Sequence, residues 1–259
     1  MTDNDRPTNE ALSRQISQIM DQAESELISV VDAAPVVTDT HPPRPGLDAE
    51  MAEIKNNIVR MGSLVEDAIR AAIEALVEHD AGAATAVIVN DRRINEMQRD
   101  ISTQITRTIA TQSPVARDLR FLLSLDHVSY ELERMGDHAG SVAKQVRKLA
   151  PEPPLKQYVD VPAMGELAAQ LVHGILRALV DIDQQIARQV AARDDEIDAL
   201  YHQTFSEVVE LMRADPGNVE RGTRILFAAH YIERIGDRVT NIAEDVVFLA
   251  SGEIEDLNP

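Results

Sequence analysis

The segment Glu-Arg-Met-Gly-Asp at 133–137 returns as Glu-Arg-Ile-Gly-Asp at 233–237, each time inside a long helical pattern. A glycine in a helix interior costs about 1 kcal/mol relative to alanine. Finding one at the same place twice therefore points to a repeated structural need, and internal repetition dictates how a chain is assembled. The pattern around the two motifs repeats as well. Asp80 to Asn95 matches Asp183 to Asp198 at an offset of 103, and the helix carrying each motif matches its copy at an offset of 100. Three helices per copy are predicted: about 47–79, 81–111 and 115–149, then 162–182, 184–214 and 218–250. Asp80 and Asp183 are the expected N-caps of the second and fifth helices, because an aspartate oxygen can accept from the free amides of a first turn. Ser113-Pro114, Asp215-Pro216-Gly217 and Gly252 are the expected breaks.

The expected fold is thus all-α: two tandem, pseudo-symmetric three-helix bundles over 47–150 and 151–259. The stretch 150–162, with prolines 151, 153, 154 and 162, separates them. Residues 1–46 read as an N-terminal arm and linker. Positions 9–32 have helical apolar spacing, and the run 35–46 holds Pro35, Pro42, Pro43, Pro45 and Gly46, a density that excludes a regular helix. Composition agrees with helices joined by aliphatic seams, since only 3% of residues are aromatic and there is no Trp.

The chain carries 44 acids against 25 Lys and Arg, a formal net charge of −19. Such a chain is repelled by phosphate backbones and anionic headgroups, so no nucleic-acid binding is expected. Cations and basic protein surfaces suit it instead. Cysteine is absent, which leaves oxygen and imidazole as the only metal donors. The first residues lack the basic and apolar regions of a signal peptide, and no uninterrupted apolar run nears about 20 residues. A cytoplasmic location without direct membrane insertion is expected.

Side chains four apart on a helix share a face. Glu133 with Asp137, and Glu233 with Asp237, are therefore like-charged pairs. The second helix of each copy offers Asp91 with Asn95, and Asp194 with Asp198. If those helices are neighbours, each copy gathers four oxygen-bearing side chains across one seam, a donor set that hard cations prefer. Surface ion pairs with Arg134 and Arg234 would use the same residues without any metal. Gly136 and Gly236 fit either a close helix contact or room for a bulky cluster. His127, His138 and His230 are not repeated: Phe227, Arg238 and Tyr130 stand at the matching positions. No Glu-x-x-His occurs, against a ferritin-like di-iron oxidase. No phosphate-cradling glycine loop, Gly-x-Ser-x-Gly or acid–base–nucleophile set is present, so no catalytic residue is assigned and the chain is not read as an enzyme.

With these motifs in view, the runs at 230–253 and 131–145, with Asp-Asp-Glu-Ile-Asp at 194–198, closely resemble the PhoU family over about 47–252. The resemblance implies metal clusters, iron or zinc, with manganese or magnesium also compatible with the donors. The ligands it implies are Asp91, Asn95, Glu133 and Asp137 in the first copy, and Asp194, Asp198, Glu233 and Asp237 in the second. It implies a negative regulator of phosphate homeostasis, commonly a homodimer, that links the ATPase subunit of a phosphate transporter to a phosphate sensor histidine kinase. The alternative is a metal-free acidic helical adaptor that binds basic partner surfaces. Asn95 replaces an acid and Lys144 adds a cation in the first copy, so the second site is expected to hold metal more tightly.

Overall fold

The computed structural model describes residues 44–155 and 160–257. Seven α-helices follow in order: α1 Pro45–Val77, α2 Ala81–Gln112, α3 Ala116–Leu149, α4 Asp160–Asp181, α5 Gln184–Ala191, α6 Asp194–Ala214 and α7 Val219–Ser251. No strand is found among the described residues.

The expected caps hold these ends. Asp80 accepts from the amides of Gly82 and Ala83, and Asp183 accepts from those of Gln185 and Ile186. Ser113 stops α2 in the left-handed region at φ 46°, with Pro114 immediately after it. Asp215 caps a single 3₁₀ turn, Pro216–Asn218, that leads into α7. Gly252 closes α7 at φ 81°, where a side chain would be strained.

Two boundaries depart from the sequence reading. Pro45 and Gly46 belong to α1 rather than to the linker, because proline at a first helical position lacks only an amide that has no partner there anyway. Residues 1–43 of the arm and linker lie outside the described residues. The expected fifth helix is two helices, broken at Ala192–Arg193. Asp194, Asp195 and Glu196 then fill the first turn of α6, where three acids favour the positive end of a helix macrodipole.

Both halves contribute to one continuous apolar core, running from Ile54 of α1 to Val247 of α7. Within the halves α1 packs on α2 and α3, and α4 packs on α5, α6 and α7; between them α1 meets α4 and α3 meets α7. The pseudo-symmetry is visible in single contacts. Leu176 of α4 packs over Gly62 of α1, and Ile73 of α1 packs over Gly165 of α4. These are the same pair with the copies exchanged. Along the other seam His127 meets Asp245, Glu131 meets Asn241 and His138 meets Tyr231. Numbers rise on α3 as they fall on α7, so the two helices are antiparallel and cross near the buried residues Met135 and Ile235. The centre of each repeated motif is the centre of the crossing.

α4 is the one described helix long and apolar enough to cross a membrane. It is mostly buried, with Met164, Ala168, Val172, Ile175 and Leu179 fully enclosed in the core.

Candidate metal centres

Each motif glycine lies under a carboxylate from the preceding helix. A Cβ on Gly136 would sit 3.0 Å from Ile94 Cδ1 and 3.3 Å from Asp91 Oδ1. A Cβ on Gly236 would overlap Asp194 Oδ1 outright and press on Ile197. Glycine at these two positions therefore lets α2 reach α3, and α6 reach α7, closely enough to lay an aspartate across the motif. The sequence left open whether the glycines serve a close helix contact or room for a bulky cluster, and the close contact is present at both.

The sequence made a shared seam conditional on neighbouring helices, and α2 does pack on α3 and α6 on α7. In the first copy Asp91, Asn95, Glu133 and Asp137 share the α2–α3 seam; in the second Asp194, Asp198, Glu233 and Asp237 share the α6–α7 seam. Their mutual influence is electrostatic. Burial, then Asp137, pushes the Asp91 carboxyl above the ordinary range, while Lys144 and a hydrogen bond from Asn95 pull it back. Burial, then Asp137, raises Glu133, and Arg134 opposes the rise. The second copy has less relief. Only 5% of Asp194 is exposed. Burial first, and then the charges of Asp198, Asp237, Glu233 and Asp195, push its carboxyl up to about 7. Asp198 and Glu233 are raised by burial and by Asp237.

Basic side chains border both sets. Arg134 lies 3.7 Å from Glu133 and 3.5 Å from Asp137. Arg234 lies 2.7 Å from Asp237, and His230 Nδ1 lies 3.2 Å from Glu233. Among the described residues no three His, Asp or Glu side chains converge as a ready metal cluster. The donors nonetheless suit a hard cation. Asp91 Oδ1 and Asn95 Oδ1 are buried oxygens with no hydrogen-bond partner. Asn95 Nδ2 donates 3.2 Å to the other oxygen of Asp91, holding the pair together one turn apart. Coordination would require the motif acids to turn from Arg134 and Arg234 toward Asp91 or Asp194.

Two of the unrepeated histidines, His127 and His138, lie at the interface between the halves. His127 Nδ1 lies 2.7 Å from Asp245, and its Nε2 lies 3.5 Å from Glu131. Glu131, buried, also accepts from Asn241 at 3.1 Å and from Arg238 at 3.4 Å. His138 stacks on Tyr231; burial and the charges of Arg238, Arg234, His230 and Arg134 lower its imidazole to about 4. Sequence reasoning missed Tyr201, which packs by His230 and Glu233. It also missed the Glu131 network, whose acids have no repeated counterpart to draw attention to them.

Fold and site together define an all-helical protein made of two copies of one unit, each with a carboxylate set where two helices close over a glycine. The PhoU domain model matches residues 58–146 and again 161–246. The chain is 35% identical over 212 residues to a phosphate-specific transport system accessory protein PhoU homolog of Clostridium acetobutylicum, covering 82% of this chain and 97% of that one. It superposes on the crystal structure of PhoU from Pseudomonas aeruginosa with a TM-score of 0.76 at 35% identity, covering 80% of this chain and 99% of that one. The phosphate transport system regulatory protein PhoU from Streptococcus pneumoniae gives 0.75 at 30% identity, covering 81% and 99%. The chain belongs to the PhoU family.

Proposed function

We propose that this chain is a cytoplasmic, non-enzymatic regulator of phosphate homeostasis. It represses phosphate uptake and starvation signalling by linking the phosphate transporter, through its ATPase subunit, to the sensor histidine kinase. Names of relatives support the transport side of this reading: they are accessory or regulatory proteins of phosphate transport.

The observation that carries the metal part is Asp194, buried against Gly236 with three further carboxylates beside it. A cation held by Asp194, Asp198, Glu233 and Asp237 would offset their repulsion and tie α6 to α7; iron or zinc is the proposed occupant. In the first copy Asp91, Asn95, Glu133 and Asp137 would hold a cation less tightly, because Lys144 already lowers the local negative charge. The protein's part is to present a surface that partners read, with no bond made or broken, and a homodimer is compatible with that role.

The test is made in cells kept in high phosphate. Disrupting this gene should raise phosphate uptake and switch on a starvation-response reporter, and the wild-type gene should reverse both. Unchanged uptake and reporter output would remove the regulatory reading. Complementation by a Glu233→Ala, Asp237→Ala variant separates the two versions of it: failure supports the metal-dependent one, and full rescue favours the metal-free adaptor.

A further inference from the structure

The pseudo-twofold axis at Met135 and Ile235 should make the two ends of the α3–α7 seam alike, but they differ in kind. At one end the copies carry His127, Glu131, Arg238 and Asp245, closed into the ion network described above. At the other end the same four places hold Phe227, Tyr231, His138 and Gln145. Here the rings form a string across three helices. Phe205 and Tyr201 of α6 have centroids 6.4 Å apart, Tyr201 and His230 of α7 lie 6.2 Å apart, and His230 adjoins Tyr231 at 6.0 Å. Tyr231 stacks on Phe227 at 6.5 Å and on His138 at 6.0 Å. At the positions matching Tyr201 and Phe205 the first copy has Gln98 and Ser102.

Core packing accounts for Tyr201 and Tyr231 but not for the string's two ends, since Phe205 is 45% and Phe227 48% exposed. The chain has only four Phe and four Tyr, and two of each lie here. Phe227 and Tyr231 line an open cleft of about 290 Å³ together with Gln145, Lys148, Glu220, Thr223 and Arg224. At its other end the string adjoins Glu233, 3.2 Å from His230, and with it Asp194, Asp198 and Asp237. Half-exposed aromatic side chains beside a cleft are the residues on which protein interfaces concentrate their affinity. The adjacent acids favour a partner surface that carries Lys or Arg and disfavour nucleic acid.

We infer that the ring string Phe205–Tyr201–His230–Tyr231–Phe227 is a docking surface for a protein partner that seats an apolar side chain in the Phe227–Tyr231 cleft and sets flanking Lys or Arg against the second acidic cluster. The inference rests on the adaptor reading and assigns the partner contact to one copy of the repeat.

Binding of the full chain to two purified probes, the transporter ATPase subunit and the cytoplasmic region of the sensor kinase, tests it by titration calorimetry. Phe227→Ala and Phe205→Ser should each weaken at least one of these complexes by about tenfold or more. Phe227→Tyr should keep it, and Val89→Ser, at an exposed valine of α2, should leave both unchanged. Wild-type affinity for both probes in the Phe227→Ala and Phe205→Ser variants would overturn the inference and spare the adaptor reading. Loss of self-association in those variants by sedimentation, with both probes still bound, would reassign the face to a dimer contact and also overturn it. No binding of either probe to the wild-type chain would overturn both.

Discussion

The second copy of the repeat keeps four acids at its carboxylate seam, whereas the first replaces one by Asn95 and sets Lys144 beside the rest. Backbone geometry is shared: each glycine accepts an aspartate from the helix before it. The chemistry is not shared. Burial raises both aspartates, but Asp91 is relieved by Lys144 and a hydrogen bond from Asn95, while burial and then four other carboxylates push Asp194 up to about 7. The helix before the site differs too, continuous through Asp91 but begun afresh at Asp194. In this chain the two copies share the glycine–aspartate contact but differ in the charge around it.

The two copies agree most closely at the helix crossing. Met135 and Ile235 are buried equivalents at the helix crossing, so Met135→Ala and Ile235→Ala should each cost about 2–5 kcal/mol. Because the core is continuous, denaturation of either variant should remain one transition over both halves. Two separated transitions, one per repeat, would mean that the seam does not couple them.

A smaller effect is expected where the copies differ. In metal-free protein at neutral pH, Asp194→Asn should raise stability by on the order of 1–2 kcal/mol, because it removes a buried charge crowded by like charges. Asp91→Asn should gain much less, since Lys144 and Asn95 already ease that carboxylate. Chemical denaturation of the two variants in chelator checks this, and equal gains would erase the proposed asymmetry.

The smallest effect belongs to the ion network at the polar end of the seam. The hydrogen bond to Asp245 raises the His127 imidazole above its usual value, against burial, with the charges of Asp245, Glu131 and Glu244 adding to the rise. Asp245 is itself raised by burial and lowered by His127. A raised histidine contributes stability that is complete below its unfolded value, about 6.5, and is lost as pH climbs through the folded value. The stability gap between wild type and His127→Gln, about 1 kcal/mol or less at this exposed site, should therefore be widest near pH 6 and shrink as pH rises through the raised value. A gap that widens with pH would contradict the assignment.

Much of this was legible in the chain. Asp80, Asp183, Asp215 and Gly252 announce helix ends through caps that act locally, and the repeated Glu-Arg-x-Gly-Asp named the four motif acids. Other features were hidden for physical reasons. The break at Ala192–Arg193 carries no Gly or Pro to mark it. Pro45 and Gly46 looked like linker because proline at a first helical turn and proline in an extended run are the same letter. Apolar spacing shows which face of α3 is buried but not that α7 covers it, so the antiparallel crossing at the motif centres, and with it the Glu131 network and the one-sided ring string, needed the structure.

We propose that the second carboxylate set is a metal site and the first a weaker one. Elemental analysis of untagged protein purified without chelator tests it most directly, run beside Glu233→Ala, Asp237→Ala and Glu133→Ala, Asp137→Ala double variants. A stoichiometric iron or zinc content should be lost when the second motif is removed and largely kept when the first is removed. Equal, trace metal in all three proteins would contradict it and leave the acidic seams as surfaces for basic partners.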